Sequence, residues 1–240
     1  RQEGYSQTAS PNEAFYGPPL GFGGANWVSD LAIEATVALG EASGAADGAA
    51  ELVLDLVKSG VHYTCRIDPA SGQATLSIPG GEFTELDSEG KAARTAAEVS
   101  GATSIRTGGE YELRFSNIDD QLLLWVDGDV VEFDGPTTYL PGKIDRPVWS
   151  EEDPGDLAPA GIEAVNLAVT AKRLRILRDV YYVAVSDSSS TQTEYRPSYF
   201  PDAILEIFAS PEQWSETELF AARQQVDFTL GADQFFPMGD

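Results

Sequence analysis

The chain has 240 residues, enough for one large core or two small ones, and its 42% hydrophobic and 10% aromatic content belongs to a folded globular protein rather than a disordered one. Its 39 acidic residues against 15 basic ones leave a formal net charge of −24. That balance argues against a nucleic-acid partner, which needs clustered Lys and Arg, and against adsorption to an anionic membrane surface. The acid excess reads as a solubility device, suited to a salty medium, with calcium binding by some of the carboxylates as the sharper alternative.

Residues 1–26 are rich in Gly, Pro, Ser, Asn and Gln and read as an irregular lead-in with a few aromatic anchors, among them Phe15 and Tyr16. From Trp27 the pattern turns to strands. Leu31, Ile33, Ala35, Val37 and Leu39 alternate with more polar residues, the period of a half-buried strand. An Ala/Gly/Ser loop follows over 40–50, then a hairpin of Glu51–Val57 and His62–Ile67 around Lys58-Ser59-Gly60. Gln73–Ile78 alternates again. Residues 80–107 are weaker and read as a short strand near Phe83, a polar loop and a helical turn around Ala92–Ala97.

The clearest signal is Gly109–Phe133. Tyr111, Leu113 and Phe115 alternate, Asn117-Ile118-Asp119-Asp120 turns, and Leu122, Leu124 and Val126 return with Trp125 on the other face. Asp127-Gly128 then suits a tight type I′ turn. A Pro- and acid-rich loop covers 134–160, and Ile162–Val169 and Leu174–Val185 read as two more long strands. Residues 186–202 look like a polar linker. Ser210-Pro211-Glu212 and Ser215-Glu216-Thr217-Glu218 have the form of helix starts, and Val226–Leu230 or Phe235–Met238 of a last strand. The sum is an all-β sandwich with one or two short helices.

The lone Cys65 excludes an intrachain disulfide, and one Cys with one His excludes a Cys/His zinc site. No run approaches the ~18 apolar residues that span a bilayer. The start at Arg1 and the end at Asp240 lead to the expectation of an excised piece whose membrane anchor lies elsewhere.

The meander Tyr111-Glu112-Leu113-Arg114-Phe115, then Leu122 through Val126-Asp127-Gly128 and Val130, resembles the concanavalin-like, laminin-G-like jelly roll. Leu174–Tyr182 is similar to that family's closing strand. This resemblance spans about 27–185 and implies a jelly-roll β-sandwich, free to act as a carbohydrate- or protein-binding module.

A second resemblance sits at the far end. Asp233-Gln234-Phe235-Phe236-Pro237-Met238-Gly239-Asp240, with Phe228-Thr229-Leu230-Gly231 before it, resembles the last core motif of bacterial type I signal peptidases. That motif runs Met-Gly-Asp-Asn, a gap, then Ser-x-Asp-Ser-Arg. The resemblance implies a sandwich inserted in a membrane-bound Ser/Lys endopeptidase, acting on signal-peptide-bearing preproteins at the outer face of the cytoplasmic membrane. Residues 186–240 would then be linker, short helices and the start of the peptidase core. Gly239 and Asp240 would match the motif's supporting Gly-Asp pair. The implied nucleophile and base are not here. The family's Ser-Met-x-Pro has no counterpart, since the only methionine is Met238. Lys172-Arg173 imitates the start of the lysine motif, but Arg175-Ile176-Leu177-Arg178 replaces its glycine-proline turn. No catalytic residue, metal or cofactor is therefore assigned, and the chain alone is expected to lack peptidase activity.

Glu151-Glu152-Asp153-Pro154-Gly155-Asp156 offers paired carboxylates, but a Pro-Gly loop is a poor mount for the fixed ~5–9 Å spacing of a glycosidase. Asp119, Asp120, Asp127 and Asp129 suit calcium if they converge at one end of the meander, and turn roles otherwise. Trp27, Trp125, Trp149 and Trp214 suit either sugar stacking or packing. His62 has no partner near it in sequence and receives no role.

Overall fold

A computed structural model describes residues 27–42, 49–179, 201–223 and 229–235. By contacts the chain divides into Val28–Asp179 and a second unit of Arg1–Trp27 with Val180–Asp240. The first unit is an all-β jelly-roll sandwich. One sheet has the order β10-β9-β8-β1-β12 and the other β11-β2-β3-β4-β7, with a small β5-β6 ribbon. The strands are β1 (Leu31–Ala42), β2 (Glu51–Lys58), β3 (Val61–Asp68), β4 (Gln73–Ser77), β5 (Phe83–Leu86) and β6 (Ala92–Ala96). Then come β7 (Glu98–Ala102), β8 (Glu110–Ile118), β9 (Gln121–Val126), β10 (Asp129–Val130), β11 (Ala160–Val165) and β12 (Leu167–Arg178). All pairings are antiparallel.

Alternation decides which side of each sheet faces in. Leu31, Ile33, Val37 and Leu39 of β1, with Leu113, Phe115, Leu122 and Leu124, supply one inner face. Leu52, Leu54, Leu56, Cys65, Ile67 and Leu76 supply the other, and all belong to one buried cluster. Burying each large aliphatic side chain contributes about 1.5–3 kcal/mol, so this shared layer is what holds the sheets together. Cys65 is fully buried, and burial pushes its thiol well above the usual range, as befits an inert core residue.

Tight turns set the registers. Ser59-Gly60, Asp119-Asp120 and Asp127-Gly128 each place two residues at positive φ, the I′ pattern that matches strand twist. Ser59-Gly60 is held further, because both amides donate to Asp156 and a Cβ on Gly60 would lie 2.8 Å from Val148. Lys58 beside this turn bridges Asp120 at 2.8 Å and Asp30 at 3.0 Å, joining the β2–β3 and β8–β9 turns to the start of β1. Burial opposes the charge on Lys58, but the two carboxylates outweigh it and raise its pKa.

Three local expectations are corrected. Ala92–Ala96 is a strand paired with β5, not a helical turn, since pairing with a partner strand overrides alanine's helix propensity. The break between the last two long strands falls at Asn166, which sits at φ 48, and not around Thr170–Arg173. Asn is the residue type that tolerates this conformation without glycine. The α-helix of the second unit, α1 (Pro201–Phe208), lies just ahead of the expected starts, and Pro211–Gln213 forms only a 3-10 turn. Pro201 opens α1 at a position where its missing N–H has no helical partner to lose. Ile204 of α1 packs with Leu219, Phe208 meets Phe220 edge-on at 5.7 Å, and the Trp214 indole donates to the Ile207 carbonyl at 3.0 Å. In the same unit Arg223 lies 5.7 Å from the Trp27 ring. The lead-in 1–26 and residues 180–200, 224–228 and 236–240, with Val226, Phe228, Phe236 and the Gly239-Asp240 pair among them, fall outside the described residues.

Candidate functional site

The outer face of the β10-β9-β8-β1-β12 sheet carries one cross-strand row of large side chains. Trp125 of β9 lies opposite Arg114 of β8, Arg114 opposite Glu34 of β1, and Glu34 opposite Arg175 of β12. Directly opposed residues in an antiparallel pair share a face, so the four line up across four strands. The sequence builds this row by the same alternation that builds the core, since Glu34 sits between inward Ile33 and Ala35, and Arg114 between Leu113 and Phe115.

The row is an electrostatic unit. Arg114 Nε donates to Glu34 Oε1 at 2.6 Å, and a second Arg114 nitrogen bonds the same oxygen. Arg175 bonds Glu34 Oε2. Both carboxylate oxygens are thus engaged, and the Glu34 side chain is only 11% exposed beneath its two guanidiniums. A carboxylate that deep is stable only with such partners. The Arg114 guanidinium also lies 5.7 Å from the half-buried Trp125 ring, within cation–π range. Around this row opens a cleft of about 660 Å³, bordered further by Glu112, Gly128, Arg173 and Leu174. A smaller hollow of about 250 Å³ adjoins it, sharing Thr36, Glu112 and Arg173 and adding Lys172 and Asp127. The neighbouring row is more closed, with Ala32 and Ser116 buried.

The second sheet's outer face differs. Thr64 and Ser77 exchange a hydroxyl hydrogen bond at 2.8 Å, and Thr75 and Ser100 another at 3.3 Å. Beside the β2–β3 turn His62 bridges two carboxylates: Nδ1 to Asp55 Oδ2 at 2.7 Å and Nε2 to Asp153 Oδ2 at 3.0 Å. Burial opposes the imidazolium, but the two acceptors outweigh it and raise the His62 pKa. The Gly155 amide, then His62, hold Asp153 below the usual carboxylate range, whereas burial raises Asp55.

The structure separates several groups that the sequence left open. Asp119 and Asp120 occupy the turn before β9 and Asp127 and Asp129 the turn after it, so the four do not converge on one calcium ion. Asp120 pairs with Lys58, and Asp127 accepts the Glu112 amide at 2.8 Å. No group of three or more His, Cys, Asp or Glu side chains among the described residues is placed to hold a metal ion. In the acidic loop, Asp156 accepts amides of Ser59, Gly60 and Val148 while Asp153 holds His62, so both are engaged in pinning the loop. Lys172 is an exposed partner of Glu110 at 3.0 Å. His62 gains its partners only through the β2–β3 hairpin and a loop about ninety residues away, a relation sequence spacing does not show. Pairing Glu34 with Arg114 and Arg175 was equally invisible, although Trp125 was marked by its place opposite the apolar face.

No family model matches the chain, and no curated protein matches it. Among solved structures, the carbohydrate-binding module CBM66 from Bacillus subtilis is similar over 62% of this chain and 74% of its own, at 10% identity and a TM-score of 0.34. Sheep galectin-11, solved in complex with glycerol, is similar over 63% of this chain and 92% of its own, at 10% identity and 0.37. Mouse laminin alpha1 domains LG4-5 are similar over 66% and 42%, at 14% and 0.29. The fold class stands on the sheets and registers themselves.

Proposed function

We propose that the sandwich is a carbohydrate-binding module whose ligand lies along the outer face of the β10-β9-β8-β1-β12 sheet. The observation that carries this is the row Trp125, Arg114, Glu34, Arg175 at the foot of an open cleft. A sugar ring has an apolar C–H face and a rim of hydroxyls. An indole supplies surface for the first. Planar guanidinium forks, held rigid by Glu34, supply directed donors for the second. The cleft volume is that of a small-ligand site, and the adjoining hollow lets a chain of more than one sugar continue. Titration calorimetry of the whole chain against neutral and acidic oligosaccharides tests the reading. Binding that Trp125→Ala weakens about tenfold or more supports it; no heat with any sugar, or binding indifferent to Trp125→Ala, rejects it.

A second reading concerns the setting and rests on a different observation, the run Phe235 through Asp240. Here the sandwich is an insertion in a type I signal peptidase at the outer face of the cytoplasmic membrane, and the host cleaves preproteins. Gly239 and Asp240 would support a site whose serine and lysine are supplied outside this sequence. The coding sequence downstream decides it: Asn followed by Ser-x-Asp-Ser-Arg supports the reading, and a stop codon after Asp240 rejects it.

A further inference from the structure

We infer that the cleft takes an acidic saccharide, with Arg173 reading a sugar carboxylate beside the Trp125–Arg114 platform. This rests on the carbohydrate reading of the same face. The first observation is where the scarce cations are. The chain has only 15 Lys and Arg, yet Arg114, Lys172, Arg173 and Arg175 all border the cleft or its adjoining hollow. In the cleft itself three arginines face two glutamates, whereas the hollow sets Lys172 and Arg173 against Glu110, Glu112 and Asp127, so the positive excess is confined to the cleft.

The second observation is how those charges are spent. Glu34 is committed to Arg114 and Arg175 through both oxygens, so its negative charge is already compensated before a ligand arrives. Each guanidinium has five N–H donors, and Glu34 takes two of Arg114's and one of Arg175's. Arg173 is different. Its side chain is 81% exposed, and its ion-pair contact, to an exposed Glu112, is a long 3.9 Å. An ion pair this exposed contributes little and yields readily to a better acceptor.

The third observation is the backbone under Arg173. The β1–β12 register slips between Glu34↔Arg175 and Thr36↔Lys172, bulging Arg173-Leu174 out of the ladder, and Arg173 sits at φ 50. A bulge re-aims the side chain it carries. A non-glycine residue there costs roughly 1–2 kcal/mol, and strain of that kind collects where a side chain must be placed. A guanidinium fork matches a carboxylate in a bidentate plane, which a neutral hydroxyl pair engages less strongly. The many distant acids do not cancel this, because charges beyond about 8–10 Å are largely screened at physiological salt.

The test uses the whole chain, a trisaccharide of galacturonic acid, its methyl ester and a neutral galactose trisaccharide, in calorimetry at ~0.1 M salt. The free acid binds at least about tenfold tighter than its ester, and Arg173→Gln brings that ratio close to one chiefly by weakening the acid. Arg173 is exposed, so the variant keeps the wild-type melting temperature. Equal binding of acid and ester, or a ratio that survives Arg173→Gln, overturns the inference. If the neutral trisaccharide then still binds and Trp125→Ala still weakens it, the carbohydrate reading stands and only the acidic preference falls. If none of the three sugars binds, the inference falls, and the carbohydrate reading falls with it when the wider neutral and acidic panel is silent too.

Discussion

The two outer faces of the sandwich are built on the same inner layer and the same alternation, yet they carry different chemistry. The β11-β2-β3-β4-β7 face shows short hydroxyl side chains that satisfy one another across strands, Thr64 with Ser77 and Thr75 with Ser100, and an arginine, Arg66, paired with Glu51 at 2.9 Å. The β10-β9-β8-β1-β12 face shows an indole and long guanidinium arms around a buried carboxylate, and they leave a cleft. A face whose polar groups are already paired at short reach offers a ligand little. One that holds donors on long arms over an aromatic floor offers both surface and direction. The difference between a supporting face and a binding face thus lies in the long arms gathered around the cleft and in the bulge that carries Arg173 there, not in the inner layer.

The strongest way to break the comparison is to remove what both faces share. Phe115 is fully buried in the common core, and Phe115→Ala is expected to cost about 3–5 kcal/mol in denaturant unfolding. Binding falls only as far as the folded population does, and a loss under ~1 kcal/mol would show that the layer between the sheets is not the main support. Glu34→Gln acts on one face only. It leaves Arg114 and Arg175 side by side without the charge they flank, and the expected stability loss is about 1–3 kcal/mol with weaker sugar binding. Trp125→Ala is expected to lower sugar affinity about tenfold or more, close to 1.4 kcal/mol. Its counterpart on the other face, Thr64→Val, removes one hydroxyl partner and is expected to cost about 0.5–1 kcal/mol of stability with sugar affinity unchanged. A binding defect in Thr64→Val would erase the distinction between the faces.

The smallest expected effect is a pH dependence on the supporting face. His62 has a raised folded pKa, so its bridge stabilises fully below about pH 6.5 and is lost as pH rises through the folded value. Asp153, held low, sets the other limit: its share is present above about pH 4 and lost as pH falls through its folded pKa. Asp55, raised by burial, opposes both by costing stability once it ionises. His62 and Asp153 are partly exposed, so the net effect is expected below ~1 kcal/mol. Unfolding curves of wild type and His62→Gln from pH 5 to 9 should converge at the high end, and a gap that widens with pH would reverse the sign.

Much of the sandwich was legible because alternation is a local property. Leu31 through Leu39 and Leu122 through Val126 show which side is buried without reference to any partner. The Asp127-Gly128 turn is legible for the same reason. The β6 strand was not, because Ala92–Ala96 becomes a strand only by pairing with β5. Nor was the break at Asn166, where one residue at positive φ ends β11. The site was half legible: Trp125 stood out by its face, while Glu34 lies 80 residues from Arg114 and 141 from Arg175 and meets them only through register. The carboxylates of 119–129 misled in the opposite sense, since nearness in sequence put them at two ends of one strand.

The most direct test of the account is amide chemical-shift mapping of the chain titrated with an oligosaccharide that binds in calorimetry. The account predicts shifts centred on Trp125, Arg114, Glu34 and Arg175, including the Trp125 indole N–H, with the Thr64–Ser77 and Thr75–Ser100 pairs unmoved. Shifts centred on those hydroxyl pairs, with Trp125 silent, would contradict it.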